Sequence, residues 1–209
     1  MARSTAQLDR GLHEQPAEYT RKRVRDKKYY NQFMMTDAEK TSHKLRDNYW
    51  DDSLPVDTAH IATALGFMVH AIDWLPSGIS SALVVTPGKD PKILLPTNTS
   101  RARKRFECAW QLGAHTYHLG NTQQDSYIEM HDADHTLGSG DNDVFRFADE
   151  FSAHLLMPAY AVEEICGQAS RDCYEDNYFD LRRVFDVPDD VLKYRLSLFN
   201  SRLFHKATA

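Results

Sequence analysis

A chain of 209 residues with 42% hydrophobic residues and a formal net charge of −5 can bury a substantial core, and suits one domain with appendages or two small ones. The acidic balance, with a pI near 6.0, argues against wholesale nucleic-acid binding, and no apolar run approaches the roughly 20 residues of a membrane span. The N-terminal stretch MARSTAQLDRGLHEQ lacks an apolar signal core. Three cysteines, Cys108, Cys166 and Cys173, show no metal-pair spacing and leave at least one thiol unpaired in a monomer, so a reducing, cytoplasmic location is expected.

Residues 1–50 read as a polar N-terminal extension carrying the basic run Arg21-Lys22-Arg23-Val24-Arg25-Asp26-Lys27-Lys28, followed by Tyr29 and Tyr30. Arg21, Lys22, Arg23 and Arg25 are candidate phosphate contacts, because basic side chains neutralise phosphates and tyrosines stack on bases. Interspersed acids (Glu14, Glu18, Asp26, Asp37, Glu39) favour a solvated, partly helical segment instead. From Pro55 the apolar positions Val56, Ala59, Ile61, Ala62 and Leu65 follow a helix face, with Pro55 suited to the first turn and Gly66 to the stop. Phe67 to Ile72, Ala82 to Val85 and Lys92 to Leu95 are rich in apolar and β-branched residues, separated by the turn-rich Thr86 to Pro91, and predict a small sheet.

Ser100 suits the cap of a helix from Arg101 to about His118, and Asp141 or Asp143 the cap of a second reaching Met157, where Pro158 ends it. The segment between them, Gly120 to Asp141, reads as a long polar loop with Asp125, Glu129, His131, Asp132, Asp134 and His135, a composition common at functional sites. Residues 180–196 read as helix, tight turn, helix. Such a helix-turn-helix-like module serves packing better than DNA reading, because Asp189 and Asp190 precede its second helix.

Four segments in order carry a family resemblance: Leu54 to Asp73; Ser80 to Pro96; Arg105-Phe106-x-x-Ala109-x-x-Leu112-Gly113-x-x-x-x-His118; and Ala148 to Pro158, which ends Leu-Leu-Met-Pro. Over roughly residues 53–200 the chain resembles the ImmA/IrrE metallopeptidases of bacteria and phages. The resemblance implies an α+β, zincin-like fold: a small sheet on two motif helices in a peptidase-type domain over residues 51–160, and a C-terminal helical module over 161–209. It also implies a task, cleavage of a helix-turn-helix repressor controlling a phage, mobile element or stress response.

In that family the third segment carries a His-Glu-x-x-His helix, whose two histidines bind one Zn²⁺ while the glutamate activates the metal-bound water. Those positions here are Trp110, Gln111 and Ala114, and the position implied for the third ligand holds Phe147. None of these side chains offers zinc a suitable donor, and Gln111 cannot take a proton from water near neutral pH. The expected state is a repacked core without metal or other cofactor: a pseudoenzyme acting by protein binding, with a helix-turn-helix repressor as the implied partner.

Two other readings remain. A divergent zinc peptidase could use His115 and His118, three apart on the first helix, with Glu150 and His154, four apart on the second, and the loop could add His131, Asp132 or His135. His115 lies one residue, about 100° of helix rotation, beyond the inherited ligand position. It is expected to point away from the old cleft, and His154 to face solvent. The remaining reading is a DNA-associated regulator using the basic run and the C-terminal helices. No phosphate-binding glycine loop, nucleophile elbow or Cys-His arrangement is present, and Cys108 is expected to be a buried small hydrophobe.

Overall fold

The computed structural model describes residues 35–122, 124–139, 141–166 and 173–207. The basic run and its candidate contacts Arg21, Lys22, Arg23 and Arg25 lie outside the described residues. The chain order is α1 (Asp37–Tyr49), α2 (Thr58–Ala64), β1 (Met68–Ile72), β2 (Ile79–Val85), β3 (Lys92–Pro96), α3 (Arg101–Asn121), β4 (Tyr127–Asp132), α4 (Asp143–Leu156), α5 (Ala159–Cys166), α6 (Cys173–Phe185) and α7 (Asp189–Ala207). The fold is mixed α and β, and no described helix is long and apolar enough to cross a membrane.

Helix starts follow local hydrogen-bond chemistry. Thr36, Asp57, Ser100 and Asn142 each accept from a backbone N–H of the first turn, satisfying donors that have no partner inside the helix. Ser100 is the cap expected. The α4 cap is Asn142 and not Asp141 or Asp143, and α2 begins at Thr58, past Pro55. Gly66 follows α2 with φ 86°, a left-handed conformation that glycine adopts without steric cost.

The sheet order is β1-β3-β2-β4, with β1 parallel to β3 and β2 antiparallel to both its neighbours. β4 occupies part of the segment expected to be loop. It is an edge strand with an inverted pattern: Ile128 and Met130 are exposed while His131 points inward and is 3% exposed. Ser81 of β2 pairs with His131 in the ladder.

α3 is buried over ten consecutive residues, Arg105 to Ala114, because it runs between the sheet and α4. Gly113 permits the approach of α4. A Cβ there would stand 3.0 Å from Ala148 Cα and 2.9 Å from Phe151 Cδ1. On its other side α4 is covered by α1, whose buried residues include Ala38, Glu39, Ser42 and Arg46.

One compact unit spans Gln32–Ala209, and its core runs through both expected boundaries, at residues 50 and 160. Ala38 belongs to it, and so do Leu181, Phe185, Val187, Val191, Leu192, Leu196 and Phe199 of the C-terminal helices. Polar ties reinforce this join: Arg195 Nε donates to Met157 O at 2.9 Å, and Arg105 Nη1 donates to Asp186 O at 2.6 Å and to its Oδ2 at 2.7 Å. Asp190, at the start of α7, receives both bonds of a bidentate pair from Arg103 at 2.9 Å. Cys108 is a free buried thiol pushed up to about 12 by desolvation, as befits an inert packing residue. Cys166 is disulfide-bonded, a state disfavoured by the reducing compartment expected from the cysteine count.

Candidate functional site

Glu107, Trp110, Gln111 and Ala114 fall three, four and seven residues apart on α3 and share one buried face. Trp110 is 0% exposed, and its indole Nε1 donates to Asp149 Oδ1 at 2.8 Å. Its ring stacks on His131 at 4.1 Å with an interplanar angle of 17°, and Phe145 meets it edge-on at 5.0 Å. Ala114 adds a fully buried methyl group beside it.

Gln111, the residue that the resemblance sets at the catalytic glutamate, lies in a hydrogen-bond chain. Gln111 Nε2 donates to Ser81 Oγ at 2.9 Å, Ser81 Oγ donates to Glu107 Oε2 at 2.7 Å, and the same carboxylate oxygen lies 2.7 Å from His131 Nδ1. Nδ1 also lies 3.1 Å from Ser80 Oγ, so this face of the ring is held on both sides and the other ring nitrogen is Nε2. That nitrogen is buried and has no hydrogen-bond partner. Ser80 Oγ, which donates to His131 O at 3.0 Å, holds the strand residue from the other side.

Asp149 completes the site from α4. Its Oδ2 accepts from Gly138 N at 2.7 Å and lies 2.8 Å from His135 Nε2. Phe147 is elsewhere, against Tyr117 at 5.6 Å and stacked with Phe151 at 6.2 Å. The α4 side chains that face Trp110 are therefore Phe145 and Asp149, two residues to either side of Phe147.

The inherited positions do not fit zinc. Indole nitrogen is a donor without an available lone pair, Ala114 and Phe147 offer carbon, and the Gln111 amide nitrogen is spent on Ser81.

The set His115, His118, Glu150 and His154 is not one site. His115 Nδ1 lies 2.6 Å from Tyr127 Oη and His118 Nε2 lies 2.6 Å from Glu129 Oε2, so both lean on β4, away from the old cleft as expected for His115. Burial, with a smaller contribution from His118, holds the His115 pKa below the ordinary histidine value. Glu150 and His154 face α1 instead. Thr36 Oγ1 donates to Glu150 Oε1 at 2.6 Å, His154 Nε2 is 3.7 Å from Glu150 Oε1, and His154 Nδ1 is 3.4 Å from Glu39 Oε1. His154 is fully buried and not solvent-facing, because α1 packs over it.

Among the described residues, two groups bring together atoms able to hold a metal ion: Glu39, His43 and His154 between α1 and α4, and His131, His135 and Asp149 beside Trp110. In the first group His43 is held down at about 4, chiefly by burial and next by the Arg46 charge. His131 and His135 of the second group line a cleft of about 420 Å³ that also receives Trp74, Arg103, Glu107 and Asp190. Sequence reading named His131 and His135 as loop residues and missed their partner, Asp149.

The family model of the IrrE N-terminal-like domain, Peptidase_M78, matches residues 62–197. The chain belongs to this family. No curated protein matches it. The match to the IrrE N-terminal-like domain spans α3 and α4 and so includes Trp110, Gln111 and Ala114.

Proposed function

We propose that this member of the IrrE N-terminal-like family acts by binding another protein and does not hydrolyse peptides at the inherited zinc position. One observation carries the reading: Trp110 occupies the first ligand position as a fully buried indole, hydrogen-bonded to Asp149 and stacked on His131. Burying such a ring stabilises the fold by roughly 1.5–3 kcal/mol, so losing the ion is compatible with keeping the fold. Gln111 supports the same reading, because its amide is tied to Ser81 and has no carboxylate with which to activate water.

The partner implied by family resemblance is a helix-turn-helix repressor, since a recognition surface can outlast the chemistry beside it. The test is capture of partners by the full chain in its native host, with each bound protein sized by mass spectrometry. Recovery of an intact helix-turn-helix protein supports the proposal. Recovery of that protein cleaved at a defined bond, or of none at full proteome coverage, contradicts it.

A further inference from the structure

We propose that His131, His135 and Asp149 form a new divalent-metal site, suited to zinc, that fastens the β4–α4 connection onto α4. This goes beyond the binding function above and does not depend on it. The three residues each offer one donor atom, and these atoms all lie within 4.8 Å of one another. Zinc ligands at about 2.0–2.1 Å in a tetrahedron stand roughly 3.4 Å apart, so closing the set on an ion takes a contraction of at most about 1.4 Å between donors. Two imidazole nitrogens and one carboxylate oxygen are donors that zinc accepts readily.

The second observation is the state of His131. Its side chain is 4% exposed, Nδ1 is held by Glu107, and Nε2 is buried without a hydrogen-bond partner. A cation at Nε2 supplies the partner that this buried nitrogen lacks. The Glu107–His131 pair is also the arrangement by which a carboxylate orients a metal-bound imidazole and raises its basicity.

Asp149 is equally prepared. Trp110 Nε1 fixes one of its oxygens and Gly138 N the other, so the carboxylate is held in orientation before any ion arrives. The tryptophan that occupies the old ligand position thus positions a ligand of the new one. His135 Nε2 meets Asp149 Oδ2 at 2.8 Å. An ion entering there takes the Nε2 lone pair of His135, whose ring proton then resides on Nδ1.

The experiment titrates untagged, chelator-treated full chain with Zn²⁺ alone by calorimetry, counts retained zinc after desalting by elemental mass spectrometry, and repeats the loading with Co²⁺ for its visible absorption bands. The expected result is one ion per chain, with affinity lowered at least tenfold by His131→Ala and by His135→Gln, lowered about 10- to 100-fold by Glu107→Gln, and unchanged by His43→Ala. His135→Gln retains a polar side chain beside Asp149 and serves if His131→Ala fails to fold. Absence of stoichiometric zinc on folded wild-type chain overturns the proposal, as does binding that survives His135→Gln or is abolished by His43→Ala. Zinc-dependent peptide cleavage would contradict the binding function and leave this site standing, whereas failure to bind zinc would remove this site and leave that function untouched.

Discussion

Trp110 Nε1 donates to Asp149 Oδ1 at 2.8 Å, a buried side-chain bond that joins α3 to α4. The two helices meet there through an indole and its hydrogen bond. The energetic consequence is direct. Trp110→Ala is expected to cost about 3–5 kcal/mol through lost burial and the cavity left behind. Trp110→Phe keeps most of the ring but leaves Asp149 Oδ1 without its donor, at about 1–3 kcal/mol. Urea denaturation of both variants reads these losses as shifts in midpoint.

Gln111→Glu restores the family's catalytic residue type without restoring its chemistry. The new carboxylate would share Ser81 with Glu107, placing two acids in one buried network. Like charges there raise the pKa of the pair in the folded state. The variant is therefore expected to lose about 1–3 kcal/mol near neutral pH, and to recover toward wild type as the pair protonates on acidification. Denaturation midpoints measured across pH 4–8 check this.

His43 gives the wild type an acid sensitivity of its own. Its pKa falls from 6.5 to about 4 on folding, so the unfolded chain binds more protons than the folded chain throughout that interval. Stability is expected to rise with pH between about 4 and 6.5 and to be lost as pH falls through it. His43→Gln should flatten that slope in thermal unfolding. An unchanged slope would mean that His43 does not titrate as its surroundings require.

Gly113→Ala tests the contact between α3 and α4. Helix propensity alone favours the change by up to about 1 kcal/mol, but the added Cβ would meet Ala148 Cα at 3.0 Å, a backbone atom that cannot swing aside. Overpacking of about 1–3 kcal/mol is expected to win. A lowered melting temperature is the expected outcome.

The strands β1 to β3 were legible from apolar and β-branched runs between turn signals, and the two motif helices from the Ser100 cap and the Pro158 stop. α1 was not, since it buries Glu39, Ser42 and Arg46, polar residues that leave no apolar stripe. β4 was missed for a related reason: its exposed Ile128 and Met130 and its inward His131 reverse the pattern by which a half-buried strand is recognised. The replaced ligand positions could be read from the spacing of α3, but the surroundings of Trp110 could not. They depend on the ladder that sets His131 opposite Ser81 and on the packing that turns Asp149, and not Phe147, toward the indole. The same cause split the four-residue alternative, because α1 claims Glu150 and His154 while β4 claims His115 and His118.

The most direct test of the central claim is exposure of a proteome-derived peptide library to the zinc-loaded full chain, with new termini read by mass spectrometry. The account predicts no cleavage above a buffer control, with Gln111→Ala indistinguishable from wild type. Defined new termini produced by the wild type and lost in Gln111→Ala would show that the inherited position still performs hydrolysis, and would contradict it.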